Sequence, residues 1–465
     1  MPAPLALSSG IIRQVAGGIA LAAATGLSAY SVVRYRPAIV AGYLVAAVVL
    51  AAVLVGSRST RRSAAGRDGD ARWGPAAALI SSGLITWWVP VFSYLPPDAA
   101  GRVRWILAGA GVLGGLLVLI PAATWTRWTP HRAANAALGL AITGYLVATV
   151  LLLRGDPAPE IDVWYTLQGA ADSLARGHNI YREVWVGPPG VMAAFTYLPW
   201  TALLLAPGRW LAGDVRVALA AITVMTALVV RGMHRPGRDP RVTAGAAALL
   251  LVVPGTATQI EQAWTEPLLA ACLVVAAHGI LGGRWLRAIL ALAIGMACKQ
   301  HLVLLLPLLA AWPRFGLRRT VLTALATGVA VLPWFLADPA AMFEDTVAVL
   351  VRYPPMRFAD SLYIAAINEF GWMPPFWLTG VVVLAVMAAV AGYLHRHDPG
   401  PGELLCWAAL VLLVANLVNK QAFYNQYWLV AALVAVGWSV NSATSETSAT
   451  AVAPDTTAPV TAERP

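Results

Sequence analysis

The sequence predicts an all-α fold: a polytopic integral membrane protein of about 13–14 transmembrane helices, with further helices in its outer loops. Three observations predict it. Of 465 residues, 59% are hydrophobic and only 12% charged, where a soluble domain carries about 25% charged residues. Mean hydropathy is +0.69, and many windows reach about 20 nearly uncharged residues, enough to span a bilayer. The arginines fall in short runs between apolar segments, the positive-inside distribution. Together these exclude a soluble enzyme, a disulfide scaffold, a fibrous protein and a disordered chain. The net charge of +10 therefore reports topology and implies no nucleic acid partner.

In order, the apolar segments run 12–33, 37–56, 74–95, 103–122, 134–153, 214–230, 242–256, 265–282, 285–298, 302–313, 319–336, 375–394, 403–419 and 425–440. Fourteen crossings put both termini on one side, and charge selects the cytoplasm. Arg58, Arg61, Arg62, Arg67 and Arg72, then Arg127 and Arg132, then Arg231, Arg235, Arg238 and Arg241 all share that face. Arg314, Arg318 and Arg319, then His395, Arg396 and His397, continue the series. Counting 190–207 as a crossing would expel the loop RGMHRPGRDPR to the outside. That stretch is therefore expected to be re-entrant or interfacial, its helix interrupted by Pro199 and Pro207. Residues 1–125 form an N-terminal set of transmembrane helices with an uncleaved first helix, 126–440 a second transmembrane core, and 441–465 a disordered cytoplasmic tail rich in Ser, Thr, Ala and Pro. The outer face then receives two long loops, 154–189 and 337–374, and three short turns at 256–266, around Lys299, and at 419–425.

Some features have ordinary explanations. GAGVLG (109–114) fits the dinucleotide fingerprint but lies inside an apolar helix with no strand before it. Close helix packing through small residues accounts for it. Cys272, Cys298 and Cys406 show no metal-like or CxxC spacing and read as small core residues.

The loop 154–189 is the richest in chemistry. Glu160 and Asp162 follow a membrane exit, with Asp156, Asp172, Arg176, His178, Arg182 and the aromatics Trp164, Tyr165, Tyr181 and Trp185. Residues 163–176 can form an amphipathic surface helix, since Val163, Leu167, Ala170, Ala171 and Leu174 share one side. A carboxylate at the membrane boundary can serve as general base toward an acceptor hydroxyl; solvated loop charges are the plainer alternative. The 32 basic residues include only two lysines, Lys299 and Lys420. Lys299 lies at an outer turn between two short apolar segments, a pattern of a broken hairpin lining a cavity, where an ionisable residue is costly unless functional. A snorkelling interfacial lysine is the alternative.

An acidic residue after a helix exit, then G-x-x-x-Y, then the aromatic-Pro entry FTYLPW (195–200), resembles the GT-C class of membrane glycosyltransferases. The likeness is greatest to the polyprenol-phosphate-mannose-dependent mannosyltransferases (glycosyltransferase family 87) of actinobacteria. The basic turn at 231–241 and the stretch 260–309, with its polar outer turn, GR turn and lysine, add to a resemblance covering about 134–440. It implies that Asp162 is the general base, and that a polyprenyl-phosphate-linked sugar is the donor with Lys299 as the main phosphate partner. His301, Arg357 and Lys420 are candidates for further phosphate contacts, and Glu160, His178, Tyr181, Glu261, Glu266, Gln421 and Tyr424 for shaping the sugar or acceptor site, with Trp264 available for stacking. A structural hydrogen-bonding role for His301, interfacial anchoring for Arg357, Lys420, Gln421 and Tyr424, and a helix-start charge for Glu266 are the plainer alternatives. Arg352 and Tyr353 are further candidates in the second long loop. Neither cofactor nor metal is implied; the partners would be the donor, a lipid or glycan acceptor, and membrane lipids. One feature departs from that pattern: four helices precede the one leading to Asp162, which leaves the role of 1–125 open. The competing classes are a transporter or lipid flippase, which predicts an internal repeat and midplane polar groups, and a non-catalytic membrane subunit of cell-envelope assembly.

Overall fold

The computed structural model describes residues 9–30, 34–61, 71–89, 92, 94–120, 129–184, 194–236 and 238–442. Arg62, Arg67, Arg127, Trp185 and the tail from 443 onward lie outside the described residues. Twenty α-helices follow in order: α1 (Ser9–Tyr30), α2 (Pro37–Arg61), α3 (Trp73–Trp88), α4 (Pro97–Leu119), α5 (Pro130–Gly155), α6 (Asp162–Ala175), α7 (Pro199–Ala212), α8 (Val215–Gly232), α9 (Pro240–Val252), α10 (Thr256–Glu261), α11 (Glu266–Leu281), α12 (Trp285–Cys298), α13 (Leu306–Ala311), α14 (Gly316–Ala337), α15 (Pro339–Phe343), α16 (Val349–Arg352), α17 (Leu362–Phe370), α18 (Phe376–His397), α19 (Pro401–Leu417) and α20 (Tyr424–Ser442). A 3-10 turn, Gln300–Leu305, leads into α13, and a π turn, Glu344–Ala348, precedes α16. No strand occurs among the described residues.

Among the described residues each of the fourteen predicted apolar segments contains a helix. Seven of the described helices (α1, α2, α4, α5, α8, α14 and α18) are long and apolar enough, by length and composition, to cross a membrane. Others, such as α9, α11, α12 and α19, are apolar but shorter. Two of the short ones, α9 and α19, are interior to the bundle, whereas α12 exposes Leu286 and Leu290. All thirteen residues of α9 are buried, and α19 is buried around nearly its whole girth, as expected of helices apolar on every side. By contrast α14 exposes Leu317, Leu325, Val329 and Leu336, a face suited to lipid. Boundaries shift where prolines decide them. α4 begins at Pro97, in the N1 position that tolerates a missing N–H, six residues before the apolar run that predicted it.

The N-terminal helices are integral to the bundle. α3 and α4 cross at glycines: a Cβ on Gly83 would lie 2.6 Å from the Ala108 carbonyl oxygen, one on Gly111 3.0 Å from that of Leu79, and one on Gly115 2.9 Å from that of Ala76. The fingerprint-like GAGVLG thus contributes Gly111 to a packing seam that the following Gly115 extends, while Gly109 faces open space. One continuous apolar core joins α3, α4 and α5 to α9, α11, α19 and α20.

Two buried Asp-x-Arg clamps fix the starts of α8 and α9. Asp214 caps α8 by accepting from the Arg216 N–H (2.8 Å) and pairs with its guanidinium (2.6 Å), which also donates to the Asp156 carbonyl (2.9 Å). Asp239 repeats this with Arg241, whose guanidinium reaches the Ile120 carbonyl at 2.6 Å. Arg241, predicted to be a topology charge, is instead buried and paired; its position in a basic turn concealed the clamp.

α5 and α8 are antiparallel: Arg216 meets Asp156 at one end, and Arg231 donates to Asn135 (3.2 Å) at the other. α7 runs between two points at the Asp156 end. It starts where the Leu198 N–H (3.0 Å) and Thr201 hydroxyl (2.7 Å) bond the Cys298 carbonyl, and finishes where Gln168 of α6 bonds the Gly213 carbonyl (3.2 Å). Both ends of α7 thus lie at one end of the bundle, with 190–193 outside the described residues, and, contrary to the expectation, the prolines do not interrupt the helix. Pro199 starts α7 at N1, and Pro207 lies within it without ending it. The adjacent Gly208 lets α8 approach, since a Cβ there would lie 2.7 Å from the Ala218 nitrogen. Close packing therefore holds the helix through the one missing hydrogen bond.

Candidate functional site

Asp162 is the first residue of α6. Its carboxylate accepts from the Val163 N–H at 2.9 Å, at the end of the helix where the peptide dipoles favour negative charge. The α6 face predicted from its periodicity is the packed one: Leu167, Ala170 and Ala171 are buried, and Arg209 of α7 holds Asp172 in a two-pronged pair at 2.8 and 3.0 Å. Asp162 is half-buried and has no ion-pair partner among the described residues. Burial raises its carboxyl above the ordinary carboxylate range, opposed by backbone N–H donors.

Lys299 ends α12 in extended conformation and heads the 3-10 turn. Its ammonium pairs with Glu266 at 2.6 Å, with the glutamate fully buried and the lysine 16% exposed. The same ammonium lies 5.4 Å from the centroid of the Tyr197 ring. The Tyr197 phenol is raised first by burial, then by the charges of Glu266 and Asp162, which puts both carboxylates within electrostatic reach of one ring. Phosphate and sugar roles had separated Lys299 from Glu266 in the sequence; the fold joins them. The second oxygen of Glu266 is buried without a hydrogen-bond partner. Gln300 ties the turn down by donating to the Thr196 (3.2 Å) and Thr346 (2.8 Å) carbonyls. His301 is half-buried in the same turn.

Glu261 is fully buried and has a backbone task. One oxygen accepts from the N–H groups of Tyr94 (2.9 Å) and Leu95 (3.0 Å), and the other from the Gln262 amide at 3.1 Å. The turn that carries it is tightly built: Ala263 has φ 53° and Gly255 φ 86°, a region costly for side chains other than glycine. A Cβ on Gly255 would lie 1.2 Å from the Tyr424 hydroxyl, which itself donates to the Pro254 carbonyl at 2.5 Å.

The other predicted residues divide by what they touch. Tyr424, Tyr181 and Lys420 have their polar atoms engaged by backbone. Tyr181 is buried and donates to the Tyr197 carbonyl at 2.9 Å. Lys420 is buried, donating to the Val351 (2.8 Å) and Tyr353 (2.5 Å) carbonyls with its ammonium over Phe376. These three, expected to be ligand contacts, are thus given a structural use: each pins a loop. Trp264 is buried against Tyr424, with ring centroids 5.9 Å apart, and offers no open face for stacking. His178 is exposed and pairs with Glu183 at 3.0 Å. Arg357 is exposed, its carbonyl accepting from Asn368, and Gln421 is half-buried. Glu160 is exposed beside Asp162. Among the described residues no group of three His, Cys, Asp or Glu could hold a metal ion. Sequence reasoning missed Tyr197 and Tyr94. Tyr197 lies within FTYLPW, so a signal existed; Tyr94 gave none.

No family model matches the chain, and no curated protein matches it. Among solved structures it is similar to ArnT from Cupriavidus metallidurans, both in the apo state and bound to undecaprenyl phosphate. In each case identity is 15%, the match covers 66% of this chain and 60% of that one, and the TM-score is 0.46. The chain thus matches less than two thirds of the length of these structures.

Proposed function

We propose that the chain is a membrane glycosyltransferase of GT-C architecture. It transfers a hexose, with mannose the first choice, from polyprenyl phosphate to a lipid or glycan acceptor on the extracytoplasmic face. The observation that carries this reading is the juxtaposition around Tyr197: a half-buried carboxylate without an ion pair, Asp162, and a cation held at a bundle end, Lys299.

The step follows from the groups. The acceptor hydroxyl gives its proton to a carboxylate oxygen of Asp162 as its own oxygen bonds to the anomeric carbon. The bond from that carbon to the phosphate oxygen breaks, and its electron pair leaves with the polyprenyl phosphate. Lys299 stabilises the charge that develops there, and Glu266 positions the ammonium. Attack opposite the leaving group inverts the anomeric centre. Radiolabelled polyprenyl phosphomannose supplied to membranes containing the protein tests it. Asp162→Asn should lower transfer by about 10²–10⁴-fold, and Lys299→Ala by about 10²-fold or more. Transfer by Asp162→Asn at the unaltered rate would overturn the mechanism.

A further inference from the structure

We infer that Asp345, in the π turn of the loop 337–374, is a positioning residue for the donor phosphate: it holds the segment 195–198 against which Lys299 is set. The inference rests on the reading above, and it gives the second long loop a task in the reaction.

The four consecutive residues that lead into α7 are each held by a different residue elsewhere in the chain. The Phe195 N–H donates to the Asp345 carboxylate at 2.8 Å, and the Thr196 carbonyl accepts from the Gln300 amide at 3.2 Å. The Tyr197 carbonyl accepts from the Tyr181 hydroxyl at 2.9 Å, and the Leu198 N–H donates to the Cys298 carbonyl at 3.0 Å. Two of these holds come from Cys298 and Gln300, the residues on either side of Lys299. The Lys299 ammonium itself lies 5.4 Å from the Tyr197 ring centroid, and that ring meets Phe195 edge to face at 5.7 Å. A displaced segment would therefore shift both the backbone of the lysine's turn and the ring beside its ammonium.

Asp345 fixes the first of those four residues. It is buried, as is Phe195, and it has no ion-pair partner among the described residues. A carboxylate is costly to bury unless it is used, and here it is used on a backbone donor. The neighbouring residue reinforces the hold: the Gln300 amide that donates to the Thr196 carbonyl also donates to that of Thr346 at 2.8 Å. The π turn thus meets the segment directly through Asp345 and indirectly through Gln300, and turns of this kind recur at functional sites. At the entry to the loop Arg182 pairs with Asp338 at 2.7 Å, but the arginine is 62% exposed, and exposed pairs contribute little. Asp345 is the contact that ties the loop to the site.

The full-length chain in membranes is tested with radiolabelled polyprenyl phosphomannose. Asp345→Ala should lower kcat/KM for the donor by at least about tenfold. Asp345→Asn keeps an acceptor oxygen in place and should retain most of it, whereas Asp345→Glu keeps the charge but moves it by a methylene and should fall below Asp345→Asn. A general loss of stability would not produce that order, and the order alone decides the case if Asp345→Ala does not fold. Because Asp345 acts through Lys299, Asp345→Ala should cost less than about a further twofold in a Lys299→Ala background. Independently of activity, amide hydrogen exchange across residues 195–198 should be faster in Asp345→Ala than in Asp345→Asn. Asp345→Glu matching or exceeding Asp345→Asn, an undiminished kcat/KM in Asp345→Ala, equal losses in the two backgrounds, or unchanged exchange each overturns the inference. Full transfer by Asp162→Asn would overturn the proposed function instead, and the exchange result would still decide whether Asp345 holds this segment.

Discussion

Three carboxylates here illustrate how surroundings divide one chemical group into separate tasks. Asp162, with a backbone donor and no ion pair among the described residues, is the one left able to exchange a proton. As a base it acts only when ionised, and burial disfavours that form, so the transfer rate should fall as pH falls through a value above the ordinary aspartate pKa of about 4. The stability linkage has the opposite sense. The folded state binds this proton more tightly than the unfolded chain, so the contribution is fully present below the unfolded pKa and is lost as pH rises through the folded one. A rate profile flat down to the ordinary aspartate range would contradict the assignment. Glu266 forms a buried pair with Lys299, and removing one partner of such a pair costs about 3–5 kcal/mol because the other charge stays buried. Glu261 serves backbone donors, so Glu261→Ala should strand two N–H groups at about 1–3 kcal/mol each. Glu261→Gln should also destabilise, since its amide would confront that of Gln262. Thermal unfolding in detergent measures both. The sequence placed all three near one another but could not rank them, because their roles depend on partners 33 residues away for Glu266 and 167 for Glu261.

At the scale of elements, paired contacts of the same chemistry should differ sharply in worth. Arg209–Asp172 joins α7 to α6 with both side chains more than a third exposed, so Arg209→Ala should cost no more than about 1 kcal/mol. Arg216–Asp214 uses the same groups with the arginine fully buried, and Arg216→Ala should cost about 3–5 kcal/mol. Equal losses in a thermal denaturation series would mean that α8 is not anchored by this clamp. The α6 helix was legible because one apolar face recurs at helical spacing. Charge distribution set 190–207 apart from the fourteen expected crossings, and the proline positions alone suggested an interrupted helix. Sequence did not show that Pro207 would be absorbed, because that depends on Gly208 facing α8. Sequence alone leaves Lys420, Tyr181 and Tyr424 open between ligand contact and anchoring, because the carbonyls they bond, from 16 to 170 residues away, are brought to them only by the fold.

For the whole molecule, hydropathy located the helices of all fourteen apolar segments among the described residues, since a chain that must satisfy its backbone within lipid has few options. It did not distinguish the fully buried helices α9 and α19 from those with an exposed apolar face such as α14, a difference that follows from packing rather than composition. Nor could it show that the helices within 1–125 share a core with the rest, because seams such as Gly83 against Ala108 leave only small residues as a trace. The bundle makes one strong topological statement: the two ends of α7 lie at the same end as Asp156, while Arg231 and Asn135 mark the other. All three native cysteines are buried, so single introduced cysteines can report accessibility without removing them. Thr196→Cys and Ala212→Cys, before and at the end of α7, should react with an impermeant maleimide from the same side as His178→Cys. Gly232→Cys and Arg314→Cys should react only from the opposite side, which the arginine distribution assigns to the cytoplasm. Labelling of residues 196 and 212 from opposite sides would make α7 a true crossing. It would also invert every loop downstream, separating Lys299 from Asp162 and removing the geometry on which the proposed transfer depends.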